Sequence, residues 1–95
     1  MLTFALNQFG SSFATRERGQ EMRETLLAMV DGDAPSGVVV DFSGVRHVSY
    51  SFADEFIGRL TSDDGPVFEV VQMTSSVARS VERARGRRTL TTPQR

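Results

Sequence analysis

The chain has 95 residues, 39% of them hydrophobic and 24% charged, with a formal net charge of −1. That is the size of one small domain, and the composition excludes a disordered chain. No apolar run nears the ~20 residues of a membrane span, the start lacks the basic-then-apolar pattern of a signal peptide, and the absence of cysteine removes disulfide, thiolate and zinc-cluster chemistry, so the expected location is cytoplasmic.

Leu2, Phe4 and Leu6 alternate with Thr3, Ala5 and Asn7, the period of a half-buried strand. Gln8 to Ser12, with Gly10 and two serines, reads as a turn. Thr15 is a candidate N-cap for an amphipathic helix from about Arg16 to Val30, whose stripe is Met22, Leu26 and Met29. Gly19 weakens that helix by about 1 kcal/mol relative to alanine, so an irregular first turn is expected. Asp31 to Gly37 is a loop. Val38 to Phe42 is a continuous β-branched and aromatic run, the mark of a strand covered on both faces.

Ser49 or Ser51 caps a second helix carrying Phe52, Phe56 and Leu60 on one face, with Ala53 and Ile57 beside them; Thr61 to Pro66 stops it. Val67 to Met73 is a third strand. Thr74 or Ser75 caps a last helix with a stripe of Val77, Val81 and Ala84, which Gly86 ends. The order β-α-β-α-β-α predicts an α/β sandwich with a mostly parallel or mixed sheet, each helix a crossover. An extra short strand near Gly10–Ala14 or Arg46–Val48 would complete the sheet. Residues 1–86 form one domain on this reading, and 87–95 a flexible basic tail.

Charge is unevenly placed. Residues 1–77 hold eleven acids and five arginines, a balance of −6, whereas residues 78–95 hold six arginines against Glu82, a balance of +5. Arg79 and Arg83 lie at i, i+4, which opens the possibility of a nucleic-acid-associated protein using the C-terminal arginines. No recognition helix or aromatic platform accompanies them, and nucleic-acid binding is not the expectation.

The segment Val38 to Phe56 is the most informative. A strand ends in Asp41, a polar turn follows, and Ser49, Tyr50 and Ser51 gather at a helix start, where backbone N–H groups favour negative charge. Asp41-Phe42-Ser43-Gly44-Val45 followed by that serine-rich start resembles the STAS domains (sulfate transporter and anti-sigma-factor antagonist). With Phe9-Gly10 and Thr15-Arg16-Glu17 upstream and Ser51 to Phe56 downstream, the chain looks like the STAS-like branch related to anti-sigma-factor antagonists, over roughly Leu2 to Ala84. The resemblance implies a bacterial signalling regulator that works by protein–protein interaction, its partner an ATP-binding kinase-like protein of the anti-sigma type. In the antagonists a hydroxyl residue in the matching block is phosphorylated. Aligned without gaps, Tyr50 takes the acceptor position, Ser49 replaces the preceding aspartate, Phe52 replaces the glycine, and Ser51 keeps the second hydroxyl. A one-residue gap places Ser49 or Ser51 at the acceptor position instead.

Ser49, Tyr50 and Ser51 are therefore the candidate phosphoacceptors or anion contacts, each serine also being a plain helix cap. Arg16, Asp41, Arg46, Asp54 and Glu55 are the candidate partner-binding residues. Asp54 and Glu55 fit dipole compensation or pairing with Arg16 better than joint catalysis, because neighbouring helical residues diverge by about 100°. Asp41 before Ser43-Gly44 fits turn chemistry, and His47, the single histidine, has no metal-binding companion. A regulatory protein-binding module acting through residues 46–55 is the leading expectation, without cofactor or metal and not an enzyme. A small nucleotide- or ligand-binding protein or enzyme using Arg16, Asp41, Asp54 and Glu55 is the alternative.

Overall fold

A computed structural model describes residues 2–30, 37–62 and 68–90, with side chains to residue 86. The chain is a mixed α/β fold with parallel sheets and three helices. Strands β1 (Leu2–Ala5), β3 (Val38–Asp41) and β5 (Phe68–Val71) form a parallel sheet in the order β1-β3-β5. In register, Phe4 lies beside Val40 and Val40 beside Val70. The two further short strands, β2 (Ser12–Phe13) and β4 (His47–Val48), do exist, but they do not extend this sheet. They pair with each other as a separate parallel ribbon, Ser12 with His47 and Phe13 with Val48.

Helix α1 is Arg16–Val30, α3 is Ser75–Leu90, and α2 occupies residues 50–62. α2 is built from an α-helical turn (Tyr50–Ala53), a π-helical stretch (Asp54–Gly58) and a final α turn (Arg59–Ser62). Caps fall on hydroxyls: Thr15 Oγ1 accepts from Arg18 N–H, Ser49 Oγ from Phe52 N–H and Thr74 Oγ1 from Val77 N–H. Turn 42–45 closes with Val45 N–H donating to Phe42 O at 2.9 Å, and Gly44 supplies the φ of +81° that this turn needs.

All three helices share one core with one face of the sheet. Phe4, Val38 and Val40 meet Met22 and Leu26 of α1, Phe52, Phe56, Ile57 and Leu60 of α2, and Val77, Val81 and Ala84 of α3. A run of rings joins the layers: Phe13 lies 4.9 Å from Phe52, Phe52 5.6 Å from Phe56, and Phe56 6.1 Å from Phe4. α2 is the central helix, apolar on most of its circumference, with α1 and α3 on either side.

Four local expectations are corrected. β3 is not covered on both faces: Val38 and Val40 are buried, whereas Val39 and Asp41 are half-buried, because the helices gather on one side of the sheet. The α1 stripe is Gly19, Met22 and Leu26, and Met29 is 48% exposed. α1 is regular from Arg16 onward; Gly19 is there for packing, since a Cβ at that position would stand 2.8 Å from Phe52 O and 2.9 Å from Glu55 Cβ. Gly86 does not end α3, which continues to Leu90. The expected loop at 31–36, the helix stop at 63–66 and the last residues of the tail, 91–95, lie outside the described residues.

Candidate functional site

The ribbon of β2 and β4 sets up the site. Each of its strands runs straight into a helix: β2 through Ala14 and Thr15 into α1, β4 through Ser49 into α2. Because the strands are parallel and in register, the two helix starts emerge side by side. Ser49 fastens them: its N–H donates to Phe13 O at 3.0 Å and its hydroxyl donates to Ala14 O at 3.0 Å while accepting from Phe52 N–H at 3.1 Å.

One turn further along, Arg16 on α1 reaches the carboxylates of α2. Its Nη1 donates to Asp54 Oδ2 at 3.0 Å and to Glu55 Oε1 at 3.1 Å. The divergence of neighbouring helical side chains does not keep these two carboxylates apart, since one guanidinium nitrogen bridges both. Glu55 collects two more arginines. Arg23 donates from Nη2 to Oε2 at 3.2 Å and from Nε to the Glu55 carbonyl at 3.1 Å, and Arg59 Nε lies 3.3 Å from Oε2. Glu55 is the one buried charged side chain among the described residues, at 7% exposure. Burial by itself would raise its carboxyl, but the hydrogen bond from Arg16 and the charges of Arg59 and Arg23 outweigh that and hold it below the usual glutamate value. The same contacts, that to Asp54 first, raise Arg16.

The π stretch that carries Asp54 and Glu55 widens α2 where α1 presses on it at Gly19, and such bulges are frequent at functional sites.

The other candidates are placed as follows. Ser49 is the cap and its hydroxyl is committed at both ends. Ser51 is half-buried, and its hydroxyl makes no hydrogen bond among the described residues. Tyr50 packs against the core with the Arg83 guanidinium 5.4 Å from its ring centre. Arg46, just before β4, and His47, its first residue, are exposed, their N–H groups donating to Ser11 O at 2.8 and 3.4 Å. Asp41 is not part of the arginine cluster; its Oδ1 accepts from Ser43 N–H at 2.9 Å, closing the turn after β3. Arg23 and Arg59 are the members that sequence reasoning missed. Arg59 had a signal in its i+4 spacing from Glu55, whereas Arg23 reads as an ordinary solvent-facing residue of an amphipathic helix.

Chemically, a glutamate held ionised by three guanidinium groups is a weak base, and the cluster works as a clasp between α1 and α2. Among the described residues no group of three or more histidines, cysteines or carboxylates is placed to hold a metal ion, and no described helix is long and apolar enough to cross a membrane.

Comparison with family models matches residues 18–78 to the STAS-like domain of unknown function, DUF4325. The chain belongs to this family. The parallel sheet with its three helices is in keeping with a small STAS-like fold, and the matched span of the STAS-like domain takes in Ser49 to Glu55 while starting just after Arg16. No curated protein and no solved structure matches this STAS-like domain.

Proposed function

We propose that this STAS-like domain is a cytoplasmic regulatory module that binds a partner protein through the loop and helix start at residues 46–55. The observation that carries the reading is the contrast between the two serines. Ser49 is consumed by capping, while the half-buried Ser51, in the first turn of α2, keeps an uncommitted hydroxyl, and the residues leading into that turn, Arg46 and His47, are exposed. Phosphorylation of Ser51 would bring about −1.5 to −2 charges to that opening and change its affinity for a partner. The likeness to anti-sigma-factor antagonists supports an ATP-binding kinase-like regulator as that partner.

A binding role is favoured over an enzyme because, of the four residues of that alternative, Asp41 stands outside the cluster that joins Arg16, Asp54 and Glu55. Asp41 is spent on its turn, and Glu55 is saturated by arginines. A nucleic-acid role is disfavoured because Arg83 and Arg85 lie over the rings of Tyr50 and Phe68. The test is recovery of partners from native lysate by the wild type, Ser51→Asp and Arg46→Glu, with Ser49 left untouched so that the helix keeps its cap. The wild type is expected to retain an ATP-binding protein and both variants to retain at least about ten-fold less, a difference of ~1.4 kcal/mol. Equal recovery by all three overturns the reading.

A further inference from the structure

We propose that Arg16 is the internal receiver of charge placed on Ser51, so that a phosphate on the Ser51 hydroxyl draws Arg16 away from Asp54 and ties the start of α1 to the first turn of α2. The inference rests on the reading of Ser51 as the modified hydroxyl, and it assigns to Arg16 a positioning role inside the molecule rather than a contact with the partner.

Ser51 stands three residues before Asp54 and four before Glu55, the spacings that place side chains on one helix face. That face is where Arg16 lies. Both carboxylates draw on the same nitrogen, Nη1, at 3.0 and 3.1 Å, and Nε and Nη2 of Arg16 make no hydrogen bond among the described residues. The Arg16 side chain is 51% exposed, so an incoming anion has access to it. Charge also favours the exchange. Arg16 is the first residue of α1, the helix end at which a cation is disfavoured and an anion welcome.

In the modification step the Ser51 Oγ attacks the γ-phosphorus of a nucleoside triphosphate carried by the partner. The bond from that phosphorus to the bridging oxygen breaks, the nucleoside diphosphate leaves with the electron pair, and the hydroxyl proton passes to solvent. The phosphate then offers three acceptor oxygens to a guanidinium suited to two-point binding. Asp54 gives up its share of Arg16. Glu55 keeps Arg23 at 3.2 Å and Arg59 at 3.3 Å, so the clasp between the helices survives the exchange.

The experiment uses the full chain with phosphoserine installed at position 51 and follows the phosphate by phosphorus NMR across pH. The free group loses its second proton near pH ~6. With Arg16 in place that ionisation is expected to be roughly ten-fold more acidic. It should return to the free value in Arg16→Gln, fall between the two in Arg16→Lys, and become more acidic still in Asp54→Asn, where the competing carboxylate loses its charge. Superimposable titrations for the wild type and Arg16→Gln overturn the proposal. Should Arg16→Gln not fold, Asp54→Asn decides, and an unchanged titration there overturns it. The titration needs no partner, so a flat result leaves the docking surface standing and a failed partner recovery leaves the Arg16 assignment standing.

Discussion

Glu55 is a charge taken out of water and then surrounded by its opposites. Truncating such a group leaves its partners behind: Arg23, at 18% exposure, loses its carboxylate, whereas Arg16 keeps Asp54 at 3.0 Å. Fully buried pairs cost about 3–5 kcal/mol when broken this way. The partial exposure of the arginines lowers the expectation for Glu55→Ala to about 2–3 kcal/mol, measured by urea unfolding at neutral pH. The carboxyl is held below its unfolded value, so its contribution is complete above the ordinary glutamate range near pH ~4.3 and is lost as pH falls through the lower folded value. The acid limb of stability should therefore be shallower in Glu55→Gln than in the wild type; parallel limbs would contradict the assignment. The serines give a second contrast. Ser49→Ala removes a cap and a link to Ala14 O and should cost about 1–2 kcal/mol. Ser51→Ala should stay within about 0.5 kcal/mol in the same urea unfolding measurement.

At the level of elements, α1 and α2 approach closely because Gly19 has no side chain. Glycine to alanine in a helix interior normally gains about 1 kcal/mol. At Gly19 the new carbon would press on the Phe52 carbonyl and Glu55 Cβ, and overpacking costs about 1–3 kcal/mol, so Gly19→Ala should lower the melting temperature. Gly86, inside α3 with nothing within 4 Å of an added Cβ, should show the opposite sign and gain about 0.5–1 kcal/mol. A shared sign at the two positions would refute the packing account. These glycines also show where sequence was opaque. Propensity treats both as helix weakeners, and only the neighbouring helix distinguishes them. By contrast, the caps at Thr15 and Thr74, the Phe52–Phe56–Leu60 face and the β-branched strand at Val38 were legible, because each depends on residues close in sequence. The π stretch had no local signature; it accommodates the contact at Gly19.

For the molecule as a whole, β3 is flanked by strands on both sides and α2 by helices on both sides. Their amides should be the slowest to exchange with solvent, ahead of β1, β5 and the outer helices. Native-state exchange in which α3 outlasts α2 would argue against a single core centred there. Function was partly legible at this scale. The segment around Ser49 to Glu55 is marked by its own residues, and the pairing of Arg16 with its two carboxylates follows from charge. What could not be read was Arg23 closing over Glu55, or the division of labour between Ser49 and Ser51, since both depend on how two distant helix starts are brought together.

The short parallel coupling of Ser12–Phe13 with His47–Val48 has a further consequence for how this scaffold tolerates change. Chain length before the coupling, at Phe9–Ser11 and Ser43–Arg46, leaves the phase of both helices unchanged so long as the turn at Gly44, the buried Val45 and the hydrogen bonds to Ser11 O are kept. Length after it, at Ala14–Thr15 or Ser49, alters the angular phase of a whole helix and would carry Arg16 out of reach of its acids. Insertions should thus be absorbed on one side of these four residues and rejected on the other, which makes the upstream bends the natural place to graft a tag or widen a loop.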